Sequence, residues 1–419
     1  MNLRLGVLAA LLCYVLAACG AETAPVETLP SPTFTQIIPS PTLAEDQRPL
    51  STPSGSELIF AHTFGGEHLD IGINLIQTDD GGYALLGYTE SFGEGAEDIY
   101  LVRLDAKGQA LWEQTYGGEG TDDGWGLIQA EDGGFVILGF SNSFADGDYD
   151  FYLLRTDPQG ELLWSQTYGG PDDEFGWAIA PIADDGFLLV GQTNSVGAGN
   201  EDAYVVAVDS QGNELWSQTY GGENTDRVFA VANTSDGGYV LAGITNTFGA
   251  GSRDAYLVKI SPDGTQDWDL VLGEQLDDVA HAISATGDGG FIVIGYTRSF
   301  DAANYDTLLF KVSAGGDLEW QSVFGELGED RTISGEQTAD GGYIIAGYTQ
   351  NYRALNWDLY LVKTDSIGNP VWYQTFGGNS EDRAYAVMET GPGEYMLIGH
   401  TFSSGHGGGD LYNLFFQAD

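Results

Sequence analysis

Acidic side chains are the groups in this sequence with the clearest capacity for chemistry. Aspartates recur in two columns at a spacing of 52 residues, and one of these columns runs from Asp98 to Asp410. The densest group is the ADGDYD stretch, which contains Asp146, Asp148 and Asp150. Carboxylates in such number could bind Ca²⁺, which takes about six to eight oxygen ligands. Aspartates that begin strands also accept backbone N–H bonds, so the repetition favours turn formation over calcium binding.

Arginine and aromatic residues depart from the repeat, and they mark a candidate binding patch. The patch falls in the fifth and sixth repeat units and contains Arg298, Tyr305, Arg331, Arg353 and Trp357. Aromatic faces beside guanidinium groups suit stacking on sugars or a protein hot spot. The alternative is local pairing of each arginine with the acid before it in the chain, with the aromatic rings covering loop backbone.

No pattern of a known catalytic site occurs in the sequence. It lacks HExxH, a Walker loop, GxSxG and a cysteine pair for zinc. The five histidines fall in different repeat columns, and we expect His281 to be a packed core residue rather than a metal ligand. We therefore predict a protein that is not an enzyme and has no cofactor other than, at most, calcium. A glycan hydrolase or lyase is the alternative, and it would need a unique acid pair in the funnel.

Seven copies of a 52-residue unit must position these residues. The phrase LWSQTYGG stands at 163–170 and again at 215–222, with the near copy LWEQTYGG at 111–118. Each unit contains four strand-like segments separated by glycine-rich turns, and its middle segments are apolar on both faces. Four-stranded units buried on both faces predict an all-β, seven-bladed β-propeller.

The two ends of the chain predict how the ring closes. The first unit begins at its fourth strand, LIFAHTF (58–64), and the last ends after its third, LYNLFFQ (411–417). The N-terminal strand is therefore expected to complete the last blade, which removes the exposed edges of an open array. This propeller is predicted to span residues 57–419.

The segment LDAKGQALWEQTYGG (104–118) resembles repeats of the quinoprotein-like propellers. In that superfamily an Asp-x-x-x-Gly-x-x-x-Trp pattern docks blades. Here the pattern is Asp105-x-x-Gly108-x-x-x-Trp112, so the spacing from Asp to Gly is one residue shorter. The whole repeat is similar to secreted bacterial lipoproteins built from TYGG…DGGY units. The resemblance implies a fold and no particular activity.

The first residues of the chain resemble a bacterial lipoprotein signal. Residues 1–18 form a short apolar run, and Leu16-Ala17-Ala18-Cys19 is similar to a lipobox. The resemblance implies cleavage before Cys19 and lipid attachment to it; an ordinary secretory peptide is the alternative. Residues 19–56 are rich in Pro, Thr and Ser and are predicted to form a stalk.

Composition and targeting together limit the partners. With 62 acidic against 14 basic residues the net charge is -48, which disfavours binding to nucleic acid. We predict a lipid-anchored protein of the cell envelope, facing outside the cytoplasm and held to the bilayer through Cys19. Its propeller would be a binding or scaffold module for a protein or glycan. The alternatives are a glycan-degrading enzyme and an architectural subunit of an envelope complex.

Overall fold

The computed structural model describes residues 53, 55–145, 148–302, 304–325, 328–350 and 356–418. Its strands in chain order are β1 (Glu57–Phe64), β2 (Asp70–Gln77), β3 (Tyr83–Thr89), β4 (Asp98–Leu104), β5 (Ala110–Tyr116), β6 (Asp122–Gln129), β7 (Phe135–Ser141), β8 (Asp150–Thr156), β9 (Leu162–Tyr168), β10 (Glu174–Pro181), β11 (Phe187–Thr193), β12 (Asp202–Val208), β13 (Glu214–Tyr220), β14 (Asp226–Asn233), β15 (Tyr239–Thr245), β16 (Asp254–Ile260), β17 (Gln266–Leu272), β18 (Asp278–Ala285), β19 (Phe291–Thr297), β20 (Asp306–Val312), β21 (Leu318–Phe324), β22 (Asp330–Gln337), β23 (Tyr343–Thr349), β24 (Asp358–Thr364), β25 (Pro370–Phe376), β26 (Asp382–Gly391), β27 (Glu394–Thr401) and β28 (Asp410–Gln417). A 3₁₀ turn at Ala183–Asp185 joins β10 to β11.

The strands form seven antiparallel four-stranded sheets, which confirms the predicted propeller. Blade 1 is β2-β3-β4-β5, and blades 2 to 6 repeat this order along the chain. Blade 7 is β26-β27-β28-β1, so the N-terminal strand supplies its outer edge as predicted. The inner strand β2 also packs on β26 and β27, which closes the ring between the first and last blades.

Every inner strand contains a bulge at the same position, and the bulged residue faces the central channel; β26 has a second shift between Glu389 and Gly391. In blade 1 the pairing of β2 with β3 shifts between Gly72 and Asn74, which leaves Ile73 unpaired. The same shift occurs in the other six blades. The channel residues of this column are Ile73, Trp125, Trp177, Phe229, His281, Ile333 and Tyr385.

Neighbouring blades dock through the repeated tryptophans and tyrosines. A Cβ on Gly212 would lie 3.0 Å from the Trp164 ring of the preceding blade, so only glycine permits this close approach. The Tyr168 hydroxyl donates to the Gly212 carbonyl at 2.5 Å. Trp112 and Gly160 meet in the same way one blade earlier. The phrase LWSQTYGG therefore recurs because its Trp and Tyr both contact the next blade.

The N-terminal predictions fall outside the described residues. The signal peptide at 1–18, the lipid-bearing Cys19 and almost all of the stalk at 19–56 belong to this part of the chain. Among the described residues, no helix has the length and apolar character needed to span a bilayer.

Candidate functional site

The upper face of the ring carries the loops that lead into the inner strands and those that join the second and third strands. Each blade has a repeated acid at the start of its inner strand, as expected. In blade 7, Asp382 accepts hydrogen bonds from the Gly378 amide at 2.9 Å, from the Ser403 hydroxyl at 2.6 Å and from the Thr401 hydroxyl. Asp70 is held in the same way in blade 1. These contacts support the structural interpretation of this column.

The second column of acids faces the first across each blade junction. Asp254 accepts from the Gly251 amide at 3.0 Å, and Gly273 separates it from Asp278 of the next blade. Burial and the neighbouring carboxylate raise the pKa of Asp254 to about 6. Burial beside Asp382 has the same effect on the pKa of Asp358. The repeat therefore places two carboxylates near each other at a blade junction, where burial and mutual repulsion raise the pKa of one of them.

The calcium hypothesis remains a prediction. Asp148 and Asp150 are described, whereas Asp146 lies outside the described residues. Among the residues that the structure does describe, no group of three or more His, Cys, Asp or Glu side chains is arranged to hold a metal ion.

The structure brings four of the five predicted patch residues together on the upper face. The Arg331 guanidinium lies 4.2 Å from the Tyr305 ring centre and 5.9 Å from that of Trp357. Arg298 lies 5.2 Å from the same Tyr305 ring. The fifth residue, Arg353, lies outside the described residues. These distances suit cation–π contacts, and we call the four residues Arg298, Tyr305, Arg331 and Trp357 the cationic–aromatic patch.

Three more residues extend this patch toward the channel. Tyr296 packs edge-on against Tyr305, with ring centres 5.4 Å apart. Arg383 of blade 7 lies 4.7 Å from the Tyr348 ring and 5.7 Å from Trp357. The sequence analysis did not place Arg383 in the patch, because it belongs to the seventh repeat unit.

The arginines do form ion pairs, but with acids other than the adjacent aspartates. Arg331 pairs with Glu329 at 2.9 Å, and Arg383 pairs with Glu381. Arg227 pairs with Glu201 of the preceding blade. Local pairing, the alternative considered from the sequence, therefore does occur, but Arg383 does not pair with Asp382, whose oxygens accept hydrogen bonds from turn donors. Arg298 is exposed and has no salt bridge within the described part of the chain.

An acidic group missed by sequence reasoning lies across the mouth of the channel. Asp123 is 7% exposed at the second position of β6. Burial and the nearby Glu97 hold its pKa well above the usual range, and burial also raises the pKa of Glu97. Tyr88 lies close enough to both acids for them to raise its own pKa, which burial already raises. The available signal was that Asp123 is the one acid in a column otherwise occupied by Ile71, Phe175, Arg227, Val279, Arg331 and Arg383.

The channel itself is lined by aromatic rings. Trp125 and Trp177 pack edge-on at 4.6 Å, and His281 stacks on Phe229 at 5.4 Å. Burial lowers the pKa of His281 to about 4, so it is neutral at pH 7. This contact supports the prediction of a packed histidine, although His281 lines the channel rather than the core of a blade. The rings border a cavity of about 250 Å³.

Comparisons with known proteins support the fold and leave the activity open. No protein-family model matches the chain. The chain is similar to the regulatory protein FlaEY of Caulobacter vibrioides, with 30% identity over 139 residues, 28% of this chain and only 15% of that relative's length. The WD40 domain of Neurospora crassa Pan2 superposes over 87% of this chain and 95% of its own, with a TM-score of 0.54 and 10% identity. The polysaccharide lyase Uly1 covers 84% of this chain and 90% of its own at 12% identity, with a TM-score of 0.48. Likeness at such low identity shows the fold alone.

Proposed function

We propose that this chain is a lipid-anchored extracytoplasmic protein whose propeller binds a protein or a glycan through its upper face, without catalysis. The cationic–aromatic patch is the observation that carries the proposal. It concentrates two arginines and two large aromatic rings on one sector of a protein whose net charge is -48. Arginine and aromatic residues of this kind dominate binding hot spots.

The arrangement of the patch supports binding better than local stabilisation. Arg298 is exposed, and within the described residues its guanidinium contacts the Tyr305 ring and forms no salt bridge. The Arg331 side chain remains 28% exposed although rings surround it. A guanidinium is weakly hydrated and presents a planar fork of donors, so it can bind carboxylate, sulfate or hydroxyl groups of a ligand.

The test is the double substitution Trp357→Ala with Arg331→Ala in the full chain. The immobilised protein is exposed separately to envelope proteins and to protein-free envelope glycans, and bound mass is recorded. We expect binding to be lost while the thermal melt is unchanged. Arg227→Ala is the matched control, because Arg227 occupies the Arg331 column and pairs with Glu201. Retained affinity in the double variant would refute the patch as the binding site.

The anchor has its own test. Cys19→Ala should move the protein from the membrane fraction to the soluble fraction and abolish incorporation of radiolabelled fatty acid. Equal labelling of both forms would exclude the lipoprotein assignment.

A glycan-cleaving enzyme is a second candidate because of Glu97 and Asp123. These two acids are not part of the repeated columns, and each has a raised pKa. Acids with raised pKa values can donate a proton in such chemistry, which also requires a second acid that remains ionised. Release of reducing ends from a polysaccharide panel, lost in Asp123→Asn, would replace the non-enzymatic proposal.

A further inference from the structure

The wall of the central channel differs between the two halves of the ring. The bulged residue carries a ring in each of blades 2 to 5, and these rings contact one another in sequence. The ring centres of Trp125 and Trp177 are 4.6 Å apart, and those of Trp177 and Phe229 are 6.4 Å apart. Phe229 stacks in turn on His281 at 5.4 Å. Ile73 holds the same position in blade 1, so the fold requires an apolar residue here but not a row of rings.

These rings keep a free surface that faces the channel. Trp125, Trp177, Phe229 and His281 are all half-buried, whereas a ring inside a blade, such as that of Phe135, is fully buried. They border the cavity of about 250 Å³, which is open to solvent. An apolar cavity of about 150 Å³ is sufficient for one benzene ring. The channel therefore has room for a molecule of about two fused rings.

The other side of the same cavity carries two polar side chains. The position after the bulge is glycine or alanine in five blades, but it is Asn74 in blade 1 and Ser334 in blade 6, and both line the cavity. Asn74 Nδ2 donates to the Trp125 carbonyl at 2.9 Å, and Ser334 Oγ accepts from the Val387 amide at 3.3 Å. Each side chain is thereby held in place and keeps one group for a ligand, the amide oxygen or the hydroxyl proton.

Blades 1 and 6 flank blade 7, which lies across a ring of seven from blades 3 and 4. The two polar side chains therefore lie opposite the rings of Trp177 and Phe229. A ligand in the cavity meets an aromatic wall on one side and single hydrogen-bonding groups on the other. Pockets for small molecules have this composition, with a mostly apolar lining and a few polar groups.

The charge around the cavity favours a neutral ligand. None of the described residues that border it is charged, and burial lowers the pKa of His281 to about 4, so its ring is neutral at pH 7. An ion in the channel would lose its hydration without meeting an opposite charge. Aromatic rings do attract cations, but three inner strands carry an arginine two residues before the bulged position, namely Arg227, Arg331 and Arg383.

We propose that the central channel binds one small neutral molecule, an aromatic ring system that carries a hydroxyl or amide group. Its ring packs against Trp177 and Phe229, and its polar group bonds to Asn74 or Ser334. The channel residues differ from those of the cationic–aromatic patch. The inference therefore goes beyond the proposed function, because it adds a second site for a ligand of another class.

The test measures binding of naphthol to the full chain by saturation-transfer NMR and by calorimetry. Naphthol has two fused rings and one hydroxyl group, so it matches the size and the polarity of the cavity. We expect it to bind at one site per chain. Naphthalene sulfonate and naphthyl trimethylammonium have the same rings with a negative or a positive charge, and each should bind about tenfold more weakly or not at all.

Two substitutions change the channel from opposite sides. Ile333→Trp should fill the cavity and abolish naphthol binding, and the variant is expected to fold because Trp125 occupies the same column. Phe229→Ile should weaken binding about fivefold, the loss expected for one aromatic contact, and Ile73 shows that this column accepts isoleucine. Leu215→Trp is the control for an added tryptophan, because Leu215 is 58% exposed on the outer strand β13. It should bind naphthol as the wild type does.

The outcomes are distinct from those of the envelope-binding assay, which contains no naphthol. Absence of naphthol binding to the wild-type chain, or undiminished binding in Ile333→Trp, overturns the channel site. Equal or tighter binding of either charged analogue also overturns the proposal, because it contradicts a neutral ligand.

Discussion

The two ends of the channel are built on opposite principles. The lower face carries the turns that join the first and second strands of each blade. In five blades, a buried Arg or Lys of the third strand forms an ion pair with the aspartate of this Asp-Gly-Gly turn. The pairs are Arg103–Asp80, Arg155–Asp132, Lys259–Asp236, Lys311–Asp288 and Lys363–Asp340. At the upper mouth the corresponding positions differ from blade to blade, and several buried polar atoms lack partners there. The repeated pairs stabilise the lower face in the same way in five blades, whereas the unrepeated residues give one sector of the upper face its own chemistry.

Two adjacent residues of blade 7 show the same difference within one strand. Asp382 belongs to a repeated column and accepts three hydrogen bonds from its own turn and loop. Arg383 belongs to a variable column and has a buried Nε without a partner. We therefore expect substitution of Asp382 to reduce stability, and substitution of the adjacent Arg383 to affect binding rather than stability.

The largest effect should come from Asp382→Ala. It leaves three donors without an acceptor, which should lower the free energy of unfolding by about 3–5 kcal/mol. Arg383→Gln should change that free energy by only about 1 kcal/mol, because the Glu381 pair is partly exposed. Urea denaturation of both variants measures the difference. Equal losses would remove the distinction between repeated and variable columns.

The next effect should come from Asp254→Asn at a blade junction. The pKa of Asp254 is raised from 3.8 to about 6, so the folded state binds its proton more tightly than the unfolded state. This carboxyl therefore costs stability as the pH rises from about 4 to about 6, by at most about 3 kcal/mol. The asparagine variant should gain stability over the wild type at pH 7 but not at pH 4. Parallel curves of unfolding free energy against pH would contradict this expectation.

A smaller effect is expected from Lys311→Met at the lower face. Lys311 is 3% exposed and pairs with Asp288 at 3.1 Å and with Glu319 at 3.4 Å. Blades 3 and 7 carry Ala207 and Phe415 in this column, so an apolar residue is tolerated. We expect a loss of about 1 kcal/mol, since an apolar replacement offsets much of a buried pair. Loss of ligand binding in this variant would show that the two ends are coupled.

The smallest expected effect is that of calcium on thermal stability. The repeated acids are already held by turn donors, so a thermal melt should be the same with calcium and with chelator. A site occupied at about 100 times its dissociation constant would add roughly 2.7 kcal/mol. A melting temperature that rises with calcium would return Asp148 and Asp150 to the metal hypothesis.

Much of the fold could be predicted because one period governs every blade. The recurring phrase that contains Trp112, the column of Asp98 and the offset chain ends were sufficient to predict the blade number and the closing strand. The bulges were not predictable, since an extra residue in a strand leaves no mark in the repeat. Ile73 and its equivalents therefore read as ordinary strand positions, although they line the channel.

The site could be predicted only where its residues occupy equivalent positions in neighbouring repeat units. Tyr305 and Trp357 stand one repeat apart in the same column, so their proximity followed from the ring. Glu97 and Asp123 come from different columns of blades 1 and 2, and their contact depends on how the loop before β4 reaches β6. The extent of burial of His400 could not be predicted either, because its column also contains Tyr88 and Phe140 and is not uniform in the repeat.

The direction of the closing strand has a consequence for how the molecule would work at a membrane. β1 runs from Glu57 at the lower face to Phe64 at the upper face, so the chain enters the ring from below. If Cys19 carries the lipid, as proposed, the tether would join the ring at the lower face, opposite the face that carries the cationic–aromatic patch. A tethered ring would meet its ligand at a local concentration set by the tether rather than by the amount of protein in solution.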